Sequence, residues 1–296
     1  MRKNAIHASR GDRIFDTVNI ILLLAVFLVV AYPLYFVVCA SISDPNAVAS
    51  GEVIFGPVDV TLEGYEKILD YDQIWIGYRN TIFYAVSGMV LSLLLTIALA
   101  YPLSRKDFKL RGPIMVMITI TMFFSGGMIP TYLVVSDLAL LNTVWAVLLP
   151  SAITASHVII VRTYFQSIPK DLTEAAFIDG CTNFQTFLHV VLPLSKAVIA
   201  VIALYVSSSL WNRYFEPMLY LSDRNLYPLQ LFLRQILIQN DLEGADISAA
   251  TIQEQQYISE LIKYGVIIVS TLPMMLVYPF IQKYFVKGVM IGSIKG

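Results

Sequence analysis

Few residues in this 296-residue chain stand where they could do chemistry together. A hydrolytic or group-transfer site needs a nucleophile, a base or paired carboxylates that converge. The long apolar runs contain no Asp or Glu pair, and His157 is the one titratable imidazole within them. His7, His157 and His189 are scattered, and Cys39 and Cys181 are too few and too far apart in sequence to form a disulfide framework. There is no Gly-x-x-x-x-Gly-Lys-Ser/Thr sequence to cradle a phosphate. No catalytic residue, metal ligand or bound cofactor is therefore expected, and any energy must be supplied from outside the chain. The apolar runs do hold hydrogen-bonding and aromatic side chains: Ser125, Tyr132, His157, Tyr205, Ser209, Trp211 and Asn212. In lipid such groups either pair with a neighbouring helix or line a polar route.

A second concentration of polar residues lies between two apolar runs, from Pro169 to Pro193. Pro169 is suited to the first position of a helix, and Asp171 in the opening turn complements its N-terminus. Leu172, Ala175, Ala176 and Asp179 recur at three- and four-residue spacing, Glu174 stands beside them, and Gly180 offers a stop. Thr182 or Asn183 can then cap a second short helix with an apolar stripe of Phe184, Phe187, Leu188 and Val191. Small alanines permit close approach of another surface, and the aromatic stripe supplies an anchor.

The elements that position these residues follow from composition. With 57% hydrophobic residues, only 14% charged and a mean hydropathy of +0.70, the chain belongs in a bilayer. A net charge of -1 leaves no basic face for a nucleic acid. The charge-free run Thr17 to Ser43 reads as a first span, with Pro33 placed to kink it, and as a retained helix rather than a cleaved signal. Further runs cover Asn80 to Ser104, Gly112 to Ser136, a stretch from Asn142 to near Val161 interrupted by Pro150, Val190 to Asn212, and Tyr264 to Gln282. Ser87, Gly88, Ser92 and Ala98 are small residues suited to helix packing in the second. The third contains Phe-Phe-Ser-Gly-Gly-Met-Ile-Pro at 123 to 130, which predicts a bent or locally unwound helix. Thr61 to Leu69 is expected as a short surface helix capped by Thr61, and Leu226 to Ile238 as an amphipathic one.

The fold class expected is thus an all-α polytopic membrane protein with six transmembrane helices in one domain, 1–296. Placing both termini in the cytoplasm puts 14 of the 20 basic residues inside, including Arg105, Lys106, Lys109 and Arg111 in one turn. It leaves 1–16 as a cytoplasmic segment, 44–79 and 213–263 as acidic external segments, and 169–190 as a pair of cytoplasmic helices.

The Glu174-Ala-Ala sequence, Gly180 and the closing Val-Val-Leu-Pro193 together resemble the coupling loop of permease subunits of binding-protein-dependent ATP-binding-cassette importers. Cys181 and Ala197 depart from that family's usual residues, both by small replacements. Phe124 to Tyr132, Trp211-Asn212, Leu226 to Gln230, Tyr278 to Gln282 and Gly288 to Gly296 resemble its carbohydrate branch, in particular permeases for oligosaccharides or polysaccharide fragments, uronate-containing ones included. His157 departs, since relatives often carry Asn there. The resemblance implies a type I importer permease fold in a bacterial inner membrane, paired with a second homologous permease. It also implies two ATPase subunits or domains that use ATP and Mg, and an extracytoplasmic solute-binding protein. Glu174, Ala175, Ala176, Asp179, Gly180, Phe184 and Pro193 would then couple to the ATPase. The polar intramembrane residues would offer hydroxyl partners and ring faces to a sugar. A secondary transporter or a non-sugar permease of the same kind is the alternative; the former would need ion relays within the spans and no docking loop.

Overall fold

The computed structural model describes residues 9–242, 257, 261–276 and 279, and among these every regular element is helical. The chain divides into two compact units, Met1–Asp70 with Gln239–Val269, and Tyr71–Ile238 with Ser270–Gly296.

The first unit is led by α1 (Arg10–Ala40), whose 31 residues span about 46 Å at 1.5 Å per residue. It starts earlier than the apolar run because Ser9 and Asp12 form a reciprocal capping box, each side chain accepting the other's backbone N–H. Pro33 lies within it, and its apolar flanks are uncovered by the chain itself until Cys39 and Ala40 become buried. Two short helices follow, α2 (Pro45–Ala49) and α3 (Glu63–Leu69). Helix α3 begins two residues later than the sequence suggests, although the Thr61 hydroxyl still accepts from the Glu63 N–H at 3.2 Å. Tyr65 donates to Ser41 Oγ at 2.8 Å, and Phe36 meets Tyr264 edge to face.

The second unit is organised on α4 (Asp72–Ser104). It absorbs the last residues of the 44–79 segment into the helix that carries the second apolar run. Its buried face follows Gly77, Thr81, Ala85, Gly88, Ser92, Thr96 and Ala100, one small residue per turn, which brings α8 and α12 against it. Ser87 and Ala98, picked out by composition, fall off this stripe. A Cβ on Gly88 would stand 2.5 Å from a Leu210 methyl, so any larger residue at this crossing displaces the Leu210 side chain.

The third run is α5 (Arg111–Phe123) and α6 (Met128–Asp137), bent by 116° across Phe124–Gly127, as the glycine-proline cluster predicts. The fourth is split by Pro150 into α7 (Val144–Leu148) and α8 (Ala155–Ser167), with α8 running past the expected end. Arg162 on α8 donates to the Leu103 carbonyl at 2.9 Å and so caps the end of α4.

Next come α9 (Lys170–Ile178), α10 (Asn183–Thr186), a π-helical turn (Phe187–Val191) and α11 (Leu192–Leu194), then α12 (Lys196–Trp211), 75° from the preceding segment. Helix α13 (Phe215–Tyr220), a 3₁₀ turn (Arg224–Leu226) and α14 (Leu229–Leu242) complete the expected amphipathic region. The 3₁₀ turn is strapped to α4: Asn80 donates to the Asn225 and Tyr227 carbonyls, Tyr84 to the Leu226 carbonyl, and Leu229 N–H to Thr81 Oγ1. The last described helix is α15 (Leu261–Leu276). The rest of the sixth run, the polar Gln253-Glu-Gln-Gln256 stretch read as solvated surface or a helix start, and the Gly288 to Gly296 segment lie outside the described residues.

Among those residues α1 and α4 are each long and apolar enough to cross a membrane. The α5–α6 and α10–α12 segments pass the same test as bent pairs. The α7–α8 pair and α15 are shorter, the first because Pro150 ends one ladder before the next begins.

Candidate functional site

The 169–195 segment is built from local rules. Pro169 has extended backbone and stands at the N-cap, one residue before the first helical position expected for it. Helix α9 ends in a Schellman motif: Gly180 has φ +82°, its N–H donates to the Phe177 carbonyl at 3.1 Å, and the Cys181 N–H donates to the Ala176 carbonyl at 2.9 Å. Nothing lies within 4 Å of a Cβ built there, so glycine is required by backbone conformation and not by space. Thr182, rather than Asn183, caps α10 in a capping box with Gln185. Ser195 closes the elbow by donating to the Val191 carbonyl at 2.7 Å.

The elbow has two sides. Ala176, Thr186 and Val191 are buried in the chain's own packing, and Phe187 packs on Tyr101 of α4 with ring centroids 4.7 Å apart and planes tilted by 43°. Glu174, Ala175, Asp179, Gly180, Phe184 and Pro193 are exposed, among apolar neighbours that include Ile178 at 87% and Phe184 itself at 67%. Carboxylates and large uncovered apolar side chains thus share one short segment. Ala176 is the one residue of the expected coupling set whose side chain turns inward.

Sequence reasoning treated the 105–111 turn only as charge. In the structure Arg105 joins the elbow: its Nη1 donates to Asn183 Oδ1 at 2.7 Å, and its guanidinium carbon lies 5.5 Å from the Phe177 ring centroid. Its hydrogen bonds to Asp107 raise the guanidinium pKa above its ordinary value, and the same bonds hold the Asp107 carboxyl below the usual carboxylate range. Tyr101 Oη also donates to the Asn183 carbonyl at 3.1 Å. The basic spacing at 105–111 contains no signal for these partners, which are about eighty residues away in sequence.

The intramembrane candidates separate by helix face. On α12, Val198, Ile202, Val206 and Leu210 are buried every fourth residue, while Tyr205, Ser209 and Asn212 are exposed at i, i+4 and i+7. His157 on α8 stacks on Tyr205, with ring centroids 6.3 Å apart and planes 14° apart. Its Nδ1 is buried and has no hydrogen-bond partner among the described residues. It borders a cavity of about 40 Å³ shared with Gly88, Ser151, Thr154, Ser209 and Arg213, enough for a water molecule. Arg213 closes one end, donating to Ser151 Oγ at 2.5 Å and to the Val147 carbonyl at 3.3 Å. Burial lowers its pKa, and Glu216, at 3.9 Å, opposes that shift.

Thus His157, Tyr205 and Ser209 come together, with Asn212 one turn further along their face. Asn212 spends its amide on the Ser208 carbonyl, 2.8 Å away. Trp211 points the other way: it is 6% exposed, and its indole N–H donates to the Ser270 carbonyl at 3.0 Å. Ser125 lies in the α5–α6 break, its Oγ accepting from the Gly127 N–H, and Tyr132 on α6 stacks on Tyr220 at 6.2 Å.

The exposed elbow and the helices that leave polar residues uncovered within apolar segments can be set beside known proteins. The family described as binding-protein-dependent transport system inner membrane component matches residues 5–291. The chain belongs to this family. This permease is 38% identical over 293 residues to Protein LplC of Bacillus subtilis (strain 168), with 99% of each chain covered. It is 41% identical over 285 residues to the polygalacturonan/rhamnogalacturonan transport system permease protein YtcP of the same organism, covering 96% of this chain and 99% of that one. A crystal structure of a bacterial ABC transporter involved in the import of the acidic polysaccharide alginate contains a chain of the same fold. The TM-score is 0.85 at 37% identity, with 94% of this permease and 99% of that chain covered. The fold is therefore that of a type I ABC importer permease.

Proposed function

We propose that this permease is a membrane subunit of an ATP-driven sugar importer whose substrates are oligosaccharides, uronate-containing ones in particular. One observation carries the substrate class. Two relatives that align along nearly the whole chain are named for acidic polysaccharides, one for polygalacturonan and rhamnogalacturonan and the other for alginate. The chain crosses the bacterial inner membrane six times with both termini in the cytoplasm, using α1, α4, the two bent pairs, α7–α8 and α15 with the residues that follow it. The segments 44–79 and 213–263 are external.

The partners are those that membership of this family implies. A second homologous permease completes the route, a solute-binding protein delivers the sugar, and two ATPase subunits or domains supply work from ATP and Mg. The elbow is the docking point, with Glu174, Ala175, Asp179, Gly180, Phe184 and Pro193 on its outer side and Ala176 setting its seat. Closure of the ATPase pair displaces the elbow, and the assembly passes between inward- and outward-open states. His157, Tyr205, Ser209 and Asn212 line the route, where hydroxyls that have shed water need polar partners and pyranose faces need a ring. Ser125 and Tyr132 meet the sugar at the α5–α6 break. Trp211 supports the path from behind.

Reconstitution with the binding protein tests the reading through sugar-stimulated ATP hydrolysis. Oligogalacturonates should stimulate, and neutral oligosaccharides of the same length should not. Equal stimulation by both would remove the uronate assignment, and stimulation by neither would remove the sugar.

A further inference from the structure

A turn of four cations ordinarily does no more than fix orientation in a membrane. Arg105 is held differently. Its Nε and Nη2 donate to the two carboxylate oxygens of Asp107 at 2.9 and 2.8 Å, which fills one edge of the guanidinium fork. The remaining Nη1 is thereby aimed at Asn183 Oδ1, and it also reaches Tyr101 Oη at 3.3 Å. The flat face of the cation covers Phe177. One side chain therefore fastens both halves of the elbow, α9 through Phe177 and α10 through Asn183, to the C-terminal end of α4.

The surroundings of α9 give this fastening a purpose. A half-open cavity of about 530 Å³ lies between α9, contributing Lys170, Glu174 and Phe177, and the ends of α4 and α8, contributing Tyr101, Ser104 and Phe165. Helix α9 is not backed by solid packing on that side. Pushed from outside, it has room to move without carrying α4 along, unless a link spans the gap. Lys106 faces Lys170, which lowers its pKa by a side-chain hydrogen bond and by its like charge. Arg105 spans the gap with directional bonds. Tyr101 also ties α10 and the π-helical turn to α4 through the Asn183 carbonyl and the Phe187 ring, and of these contacts only that of Arg105 with Phe177 reaches α9.

We infer that Arg105 is the positioning residue that makes the elbow and α4 move as one body, so that displacement of the elbow reaches the transmembrane bundle. The inference rests on the reading that the elbow docks an ATPase. Loss of Arg105 leaves the ATPase attached and hydrolysing while the stroke is taken up in the cavity.

The test uses the complete reconstituted complex. Spin labels at Leu172 on α9 and Ala98 on α4, both exposed, report their separation in the nucleotide-free and vanadate-trapped states. In the parent complex the separation stays narrow and unchanged between states. In Arg105→Ala and in Asn183→Ala it broadens or shifts on trapping, and trigalacturonate taken up per ATP falls about tenfold, within the usual range of coupling between sites. Asn183→Ala keeps the Arg105–Asp107 pair and carries the test should Arg105→Ala fail to insert. Unchanged separations in both variants overturn the inference, as does loss of the ATPase from both. Glu174→Arg separates the two readings: if it keeps its ATPase and full uptake, docking by the elbow is wrong, whereas if it alone fails while Arg105→Ala behaves as the parent, only the role of Arg105 is wrong.

Discussion

The outer side of the elbow and the polar residues of α12 are both surfaces that the chain leaves uncovered, yet they are made in different ways. On the elbow, six residues singled out by type are exposed together because one capping box and one left-handed glycine fix the segment locally. On α12 the exposed set depends on which face the core claims. Four aliphatic residues seal the helix against the chain, and Tyr205, Ser209 and Asn212 remain on the other side. The first surface is thus written within twenty consecutive residues, Glu174 to Pro193. The second is defined only by what packs behind it.

The largest effect that can break this comparison is expected at the elbow. Glu174→Arg reverses an exposed charge at the edge of the cavity beside α9 without touching the buried Ala176, and coupled uptake should fall at least about tenfold with membrane insertion intact. Gly180→Val should act alike by a different route, since a β-branched residue at φ +82° costs about 1–2 kcal/mol and moves the junction between the two helices. Gly180→Asn, which tolerates that conformation, should retain most of the uptake. Co-purification of the ATPase with each variant is the measurement. If Asn and Val behave identically, the backbone argument fails even if docking survives.

A smaller effect is expected on the α12 face, and of another kind. His157→Leu and Ser209→Leu remove hydrogen-bonding groups from the face and its cavity, a change of about 1–3 kcal/mol for a sugar that uses them. The ratio of oligogalacturonate to neutral-oligosaccharide uptake should shift about fivefold or more, with ATPase binding unaltered. A shift in ATPase binding with no shift in preference would mean that the two regions have exchanged roles.

What could be read from the sequence divides along the same line. The Gly180 stop, the second short helix and the broken third run follow from residues adjacent in the chain, and the structure contains all three. Boundaries set by apolar runs drifted, because hydropathy marks where lipid is met and not where a hydrogen-bond ladder begins. Ser9 and Asp12 start α1 well before Thr17, and α4 starts at Asp72 rather than Asn80. Of the four small residues that composition picks for packing, Gly88 and Ser92 lie on the stripe of the crossing, whereas Ser87 and Ala98 fall off it. The clasp of Arg105 on Asn183, and the strap of Asn80 and Tyr84 on the 3₁₀ turn, join residues from about 80 to nearly 150 positions apart. No local pattern encodes those pairs.

The finest discrimination lies between neighbours. Trp211 and Asn212 are adjacent and polar, and in sequence both are candidates for the path, but the indole is buried and gives its N–H to Ser270. Trp211→Phe keeps most of the aromatic volume and removes that one donor. It should lower the thermal stability of the purified permease by about 1 kcal/mol or less, the usual worth of one hydrogen bond between membrane helices. Substrate preference should not change. Asn212→Leu, one residue along, should leave stability nearly unchanged, because the amide bonds only its own helix at Ser208, and should alter preference instead. Opposite phenotypes at adjacent positions would fix the orientation of α12 without any ligand being seen. Matching phenotypes would mean that the helix is rotated and that the face assigned to the sugar is not the one it meets.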